Sequence, residues 1–66
     1  GRLSQAMASR GRAQAPGATP EVIGRSLAEL DALGFASSAL ALETELRARA
    51  GANTAWVTRL ESAMQR

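Results

Sequence analysis

The side chains in this chain that could do chemistry are carboxylates and guanidinium groups. The 66 residues include six Asp or Glu and eight Arg, and the sequence contains no His, Cys, Tyr or Lys. Catalysis at neutral pH normally uses His, Cys, Lys or a carboxylate whose pKa burial has shifted. These carboxylates fall at positions expected to face water, mostly near an Arg, which keeps them ionised. The sequence therefore predicts no catalytic, cofactor-binding or metal-binding residues and a protein that is not an enzyme.

The positive charge is concentrated at the start of the chain. Residues 1–18 hold three Arg and no acid, whereas residues 19–66 hold five Arg and six acids. Residues 1–18 also carry few large apolar side chains, too few to offset the entropy cost of ordering them. We expect a flexible, disordered basic linker over residues 1–18 and a helical module over residues 19–66. Because the module is near neutral, nucleic acid is not an expected partner.

The helical module opens with a clear start signal. Thr19 can cap a helix, Pro20 suits its first position, and Glu21 lies in its positive first turn. The pattern predicts a first helix over residues 20–33. Its apolar stripe consists of Ile23, Leu27 and Leu30, with Val22 and Leu33 beside it. Gly24 weakens a helix unless it lets another backbone come close, so it is a candidate helix-crossing point.

A Gly-Phe pair separates this helix from the next one. Gly34 fits the left-handed residue that ends a helix, and Phe35 can cover the exposed end of a small core. Ser37 or Ser38 can cap a second helix that ends at Gly51. The buried positions of the second helix are Leu42 and Leu46, with Ala39 and Ala50 extending the same face.

A third helix is expected over residues 55–65, capped by Asn53 or Thr54. Its apolar residues are Trp56, Val57, Leu60 and Met64. Trp is enriched at binding hot spots, so these four residues are candidates for docking a second protein; packing within the core is an equal alternative for Trp56.

The chain is too short to bury much apolar surface alone. Burying one Leu contributes ~1.5 to 3 kcal/mol, whereas ordering one residue costs roughly 1 to 2 kcal/mol. No disulfide can compensate, because the sequence has no Cys. We therefore expect a homodimer, with a tetramer as the alternative, whose interface is Ile23, Leu27, Leu30, Leu33, Phe35, Ala39, Leu42 and Leu46.

The residues around the Gly-Phe pair resemble the LisH (lissencephaly homology) motif, a short helical dimerisation element. The resemblance covers about 20 residues and comprises Leu27, Leu30, Leu33, Gly34, Phe35, Ser38, Ala39, Leu42, Glu43 and Glu45. It implies that two chains pair through the first two helices and so bring larger polypeptides together. Polar residues near Arg25 and Ser26 depart from the family pattern.

Two weaker resemblances give alternative functions. Residues 23–31 and 57–62 are similar to C-terminal docking domains of modular polyketide synthases, which would also make the chain a helical dimer. Residues 33–37 resemble the turn before the modified Ser of acyl carrier proteins, but Ala36 replaces the acid of that pattern. Ser37 is therefore expected to be an unmodified capping residue.

Any amphipathic hairpin of Ala, Leu, Glu and Arg gives similar spacings, so a fragment of a larger helical subunit is a further alternative.

The sequence shows no apolar run of ~18 residues and no secretory signal, which predicts a soluble, cytoplasmic protein without a membrane partner. The expected fold is all-α: a disordered leader, a helical hairpin and a third helix, dimerising into a bundle.

Overall fold

The structure is a computed structural model that describes residues 1–65. Its helices are α1 (Arg2–Gln14), α2 (Pro20–Ala32), α3 (Ala36–Ala50) and α4 (Thr54–Met64). They form a compact four-helix fold in which α2 is central and contacts each of the other three. The all-α prediction is confirmed.

The predicted disordered leader is wrong, because α1 occupies most of residues 1–18. This helix buries Ala6, Ser9 and Ala13 at i, i+3 and i+7, while Leu3 and Met7 remain exposed. Residues 1–18 have few large apolar side chains, which is why the sequence predicts disorder there. Small side chains instead let the α1 backbone approach α2 closely, so the segment is ordered by tertiary packing.

The predicted start of α2 is confirmed in detail. Thr19 Oγ1 accepts a hydrogen bond from the Val22 backbone N–H at 3.2 Å, and Pro20 is the first helical residue. The helix ends at Ala32, one residue before its predicted end at Leu33. These start signals lie within four consecutive residues, which is why the sequence alone locates them.

The bend between α2 and α3 forms at Gly34, as predicted. Gly34 has a φ of 98°, and the next backbone N–H, that of Phe35, donates to the Leu30 carbonyl at 3.1 Å. The prediction that Ser37 or Ser38 caps the next helix is wrong. Phe35 precedes α3 without a side-chain cap, and both serines are exposed within its first turn. The helix starts early because the Phe35 carbonyl already accepts from the N–H of Ala39 at 3.0 Å.

The ends of α3 and α4 also follow local signals. Gly51 terminates α3 with a φ of 58°. Asn53 Oδ1 accepts a hydrogen bond from the Trp56 backbone N–H at 3.1 Å and caps α4. The helix begins and ends one residue earlier than predicted.

The crossing of α2 and α4 occurs at Gly24, as its position inside a helix indicated. A Cβ atom at Gly24 would lie 2.6 Å from the Cβ of Ala63 and 2.8 Å from the Leu60 carbonyl oxygen. No side chain fits there without a shift of α4, so glycine is what lets the two helices pack at this distance.

Candidate interaction surface

The eight predicted interface residues lie on α2, on α3 and at the bend between them, and this set is here called the α2/α3 face. Six of them are buried, and Leu33 and Phe35 are half-buried. The eight residues divide between two separate clusters of the interior. One contains Ile23, Leu27, Leu42 and Leu46, and the other contains Leu30 and Ala39 with Leu33 and Phe35 against them. The residues predicted to form the interface are therefore interior residues of a single chain in this structure.

Within a single chain, α1 packs on the α2 side of the α2/α3 face, and Leu60 of α4 lies in one of the same clusters. Ala13 belongs to the cluster of Ile23 and Leu27, and Ala6 belongs to the cluster of Leu30 and Ala39. In this conformation these leucines contact their own chain. Pairing of two chains through this face stays a prediction.

The contact that α1 makes with α2 involves small side chains of α1. Its three buried residues are Ala6, Ser9 and Ala13, while Leu3 is 64% exposed and Met7 is 66% exposed. Beside this contact, α1 and α2 leave a surface groove of about 440 Å³ between Gln5, Ala8 and Arg12 on one wall and Ala32 and Leu33 on the other. The bulky side chains of α2 therefore meet methyl and hydroxyl groups from α1.

The predicted docking residues of the third helix are mostly turned inward. Leu60 is completely buried in the core cluster, and the half-buried Trp56 and Met64 pack against that cluster. Val57 is also half-buried. In this conformation a partner can reach parts of Trp56, Val57 and Met64, but not Leu60.

The charged residues make ion pairs on the outside of the fold. Arg59 makes two hydrogen bonds of 2.7 Å to the Glu21 carboxylate, which joins α4 to α2. These bonds lower the pKa of Glu21 and raise the pKa of Arg59. Arg47 pairs with Glu43 at 2.7 Å and with Glu61 at 3.1 Å, and both bonds raise its pKa.

The ion pair between α1 and α2 is exposed. Arg12 Nη2 lies 3.0 Å from Glu29 Oε1 and also donates to Ser9 Oγ at 3.0 Å. About half of each charged side chain is accessible to water, so solvent screens this pair and it contributes less than about 1 kcal/mol. Polar contacts therefore hold α1 in place only weakly.

The residues of α1 are the part of this surface that sequence reasoning missed. A signal was present, because small residues recur at helical spacing at Ala6, Ser9 and Ala13. Such a stripe is hard to separate from an Ala-rich composition without knowing which helix it faces.

Across the part of the chain that the structure describes, no group of three or more acidic residues comes close enough to hold a metal ion. Within residues 1–65, no helix has the length and apolar character needed to cross a membrane. Ser37 is exposed in the first turn of α3.

The comparisons with known proteins found no matching family model, no similar curated protein and no similar solved structure.

Proposed function

We propose that this chain is a non-catalytic protein-protein interaction module that forms a homodimer through the α2/α3 face and thereby brings attached polypeptides together. The observation that carries the proposal is the α2/α3 hairpin, in which eight apolar residues on both sides of the Gly34 bend point into two clusters of the interior. An apolar face of this kind is suited to self-association, since two-fold symmetry places the same patch on both partners.

The LisH resemblance supports the same proposal. Its leucines before the bend lie on α2, its Gly-Phe pair forms the bend, and Ala39 and Leu42 lie on the inner side of α3. A helical hairpin with its bend at the Gly-Phe pair supports the proposal, because the resemblance implies two helices joined there.

The test compares two Leu to Asp variants of the full chain by sedimentation equilibrium over a concentration series. Leu33 is a half-buried member of the α2/α3 face, whereas Leu40 is 64% exposed on α3. We expect the unmodified protein and Leu40→Asp to dimerise and Leu33→Asp to remain monomeric, because a dimer would bury its unpaired carboxylate. Circular dichroism of each variant checks that the helices are retained.

A monomer at every concentration for the unmodified chain would contradict the proposal. A dimer of undiminished affinity for a helical Leu33→Asp variant would place the interface elsewhere.

Docking to a different protein, as in the polyketide synthase alternative, would use the accessible parts of Trp56, Val57 and Met64 on α4. Trp56 fluorescence separates this alternative from self-association. Under the docking alternative, Trp56 emission shifts when the partner protein is added and is independent of the concentration of this chain alone.

A further inference from the structure

A polar surface depression of about 380 Å³ lies between α2 and α4. Two residues from the first half of α2 and four from α4 line it: Glu21, Arg25, Thr58, Arg59, Ser62 and Ala63. None of these six belongs to the α2/α3 face. The depression is therefore a separate part of the surface, with its own chemistry.

The guanidinium group of Arg25 has no carboxylate partner. Arg47, Arg49 and Arg59 each make an ion pair, so Arg25 is the one unpaired Arg among the described residues of α2, α3 and α4. It is exposed and lies one helical turn after Glu21. The N–H donors of Arg25 are therefore available to an anion from solvent.

The guanidinium group of Arg59 is held in place by Glu21. Its Nε and Nη2 atoms donate to the two carboxylate oxygens of Glu21, each at 2.7 Å. This pair neutralises Glu21 and leaves the Nη1 group of Arg59 without a partner among the described residues. Two Arg and one Glu give the depression a net charge of +1.

Two hydroxyl groups lie in the same depression, one helical turn apart on α4. Within residues 1–65, neither the Thr58 nor the Ser62 hydroxyl hydrogen-bonds to another protein group. Thr44 on α3 differs, because its hydroxyl donates to the Leu40 carbonyl at 2.9 Å. The Thr58 and Ser62 hydroxyls are therefore free to donate to a ligand oxygen.

The two walls of the depression are fixed relative to each other. Ala63 lines the depression and also lies at the contact between the helices, where a Cβ added to Gly24 would be 2.6 Å from the Cβ of Ala63. This contact and the pair of Glu21 with Arg59 set the spacing of α2 and α4. The donors of both helices are thus in place before a ligand arrives, which lowers the entropy cost of binding.

We propose that this depression binds a phosphate group, either inorganic phosphate or a phosphate monoester. Arg25 and the Nη1 group of Arg59 supply charge-assisted hydrogen bonds, which are stronger than bonds between neutral groups. The hydroxyls of Thr58 and Ser62 bond to further oxygens. Donors that converge from two helices suit the several oxygens of a tetrahedral phosphate, and guanidinium groups match its geometry. Binding here is independent of the proposed homodimer, because no residue is shared with the α2/α3 face.

The first experiment titrates the unmodified full chain with inorganic phosphate at constant ionic strength and follows the backbone amide signals by NMR. We expect saturable shifts at residues 58–62 and around Arg25, and weaker binding of acetate, which has two oxygens. Shifts that do not saturate, or that chloride reproduces, would overturn the proposal. Acetate binding as tight as phosphate binding would overturn the assignment to phosphate.

The second experiment compares two Arg to Gln variants that lose the same charge. Arg10 is the control, since it is an exposed Arg of α1 that makes no ion pair. We expect Arg25→Gln to weaken phosphate binding about tenfold and Arg10→Gln to weaken it less than about twofold, because only Arg25 bonds to the ligand. Equal affinities of the two variants would overturn the proposal.

The hydroxyl contribution is tested by two Thr to Val variants of matched size. We expect Thr58→Val to weaken phosphate binding about threefold and Thr44→Val to leave it unchanged, because a neutral hydrogen bond is lost in Thr58→Val alone. Circular dichroism checks that all four variants keep their helices. Equal affinities of Thr58→Val and Thr44→Val would remove the hydroxyl from the site and overturn the proposed geometry.

A short phosphoserine peptide with glycines on both sides and blocked ends identifies the source of the phosphate group. We expect it to bind at least as tightly as inorganic phosphate, which would assign the site to a phosphorylated side chain. Binding of inorganic phosphate alone would support the site and assign it to a free phosphate compound. Binding of neither would overturn the proposal and leave the proposed homodimer intact.

Discussion

The packing of the helices depends far more on some residues than on others, and Gly24 is the clearest example. In the middle of α2 it costs helix stability, yet its missing Cβ is what permits contact with the α4 backbone. Gly11 in α1 has the opposite surroundings, since a Cβ there would meet nothing within 4 Å.

Replacing each of these glycines with Ala separates the two effects. We expect Gly24→Ala to lower the free energy of unfolding by about 1 to 3 kcal/mol, because overpacking outweighs the gain in helix propensity. We expect Gly11→Ala to raise it, by at most about 1 kcal/mol. Urea denaturation followed by circular dichroism measures both, and a stabilised Gly24→Ala protein would show that α4 can shift at no cost.

Leu30 is the residue at which one polar change is expected to unfold the molecule. It is 1% exposed and lies between α1, α3 and the bend. Leu30→Asp would bury an unpaired carboxylate, at a cost of about 4 kcal/mol or more, close to the whole stability of a small domain. The measurement is thermal unfolding, with Leu40→Asp as the control that should change stability by less than about 0.5 kcal/mol. Retained helicity and an unchanged Tm in Leu30→Asp would mean that Leu30 does not belong to the core.

At the scale of the elements, ion pairs connect helices that lie far apart in sequence. Glu21 could pair with Arg25 one helical turn away, but its hydrogen bonds go to Arg59, 38 residues further along the chain. The pair fixes the start of α2 against α4 on the same side as the Gly24 crossing. It is exposed, so we expect a modest effect on stability.

The Glu21 pair predicts a specific pH dependence. The folded-state pKa of Glu21 is lowered by its bonds to Arg59, so the pair stabilises the fold above the unfolded-state pKa near 4.5. That stabilisation is lost as the pH falls through the lower folded-state value. We expect the stability difference between the unmodified protein and Glu21→Gln to be constant near neutral pH and to vanish in acid, as measured by urea denaturation at a series of pH values. A difference that persisted at the acidic end would assign the effect of the variant to something other than charge.

At the scale of the whole molecule, α1 adds buried side chains to the core that residues 19–65 form. Residues 19–66 carry few large apolar side chains, which is why the sequence predicts a dimer. The structure adds Ala6 and Ala13 from α1, and it buries Leu60 of α4 in the same core. One chain thereby buries five of its leucines, with small groups from α1 on one side: Leu27, Leu30, Leu42, Leu46 and Leu60.

The single Trp provides a measurement of this packing. Trp56 lies on α4, where it is half-buried and packs against the core cluster. We expect its emission in the native monomer to be blue-shifted relative to the unfolded chain and to change in the same denaturation step as the helical signal. Emission identical to that of the unfolded chain would indicate that α4 does not pack on α2.

The sequence by itself determined the features that depend on neighbouring residues. Thr19 with Pro20, Gly34 and Gly51, and Asn53 located the helix ends, because caps and left-handed turns are local hydrogen-bonding events. Helical periodicity likewise determined that Leu27, Leu30 and Leu42 face inward.

Only the tertiary structure decided what covers that inward face. Three features depend on helices that pack against each other across long stretches of chain: the ordered helix α1, the pairing of Glu21 with Arg59 and the inward position of Leu60. A stripe of Ala and Ser is too weakly apolar to predict a buried helix face from the sequence. It becomes a packing surface only where a helix with large side chains lies opposite it.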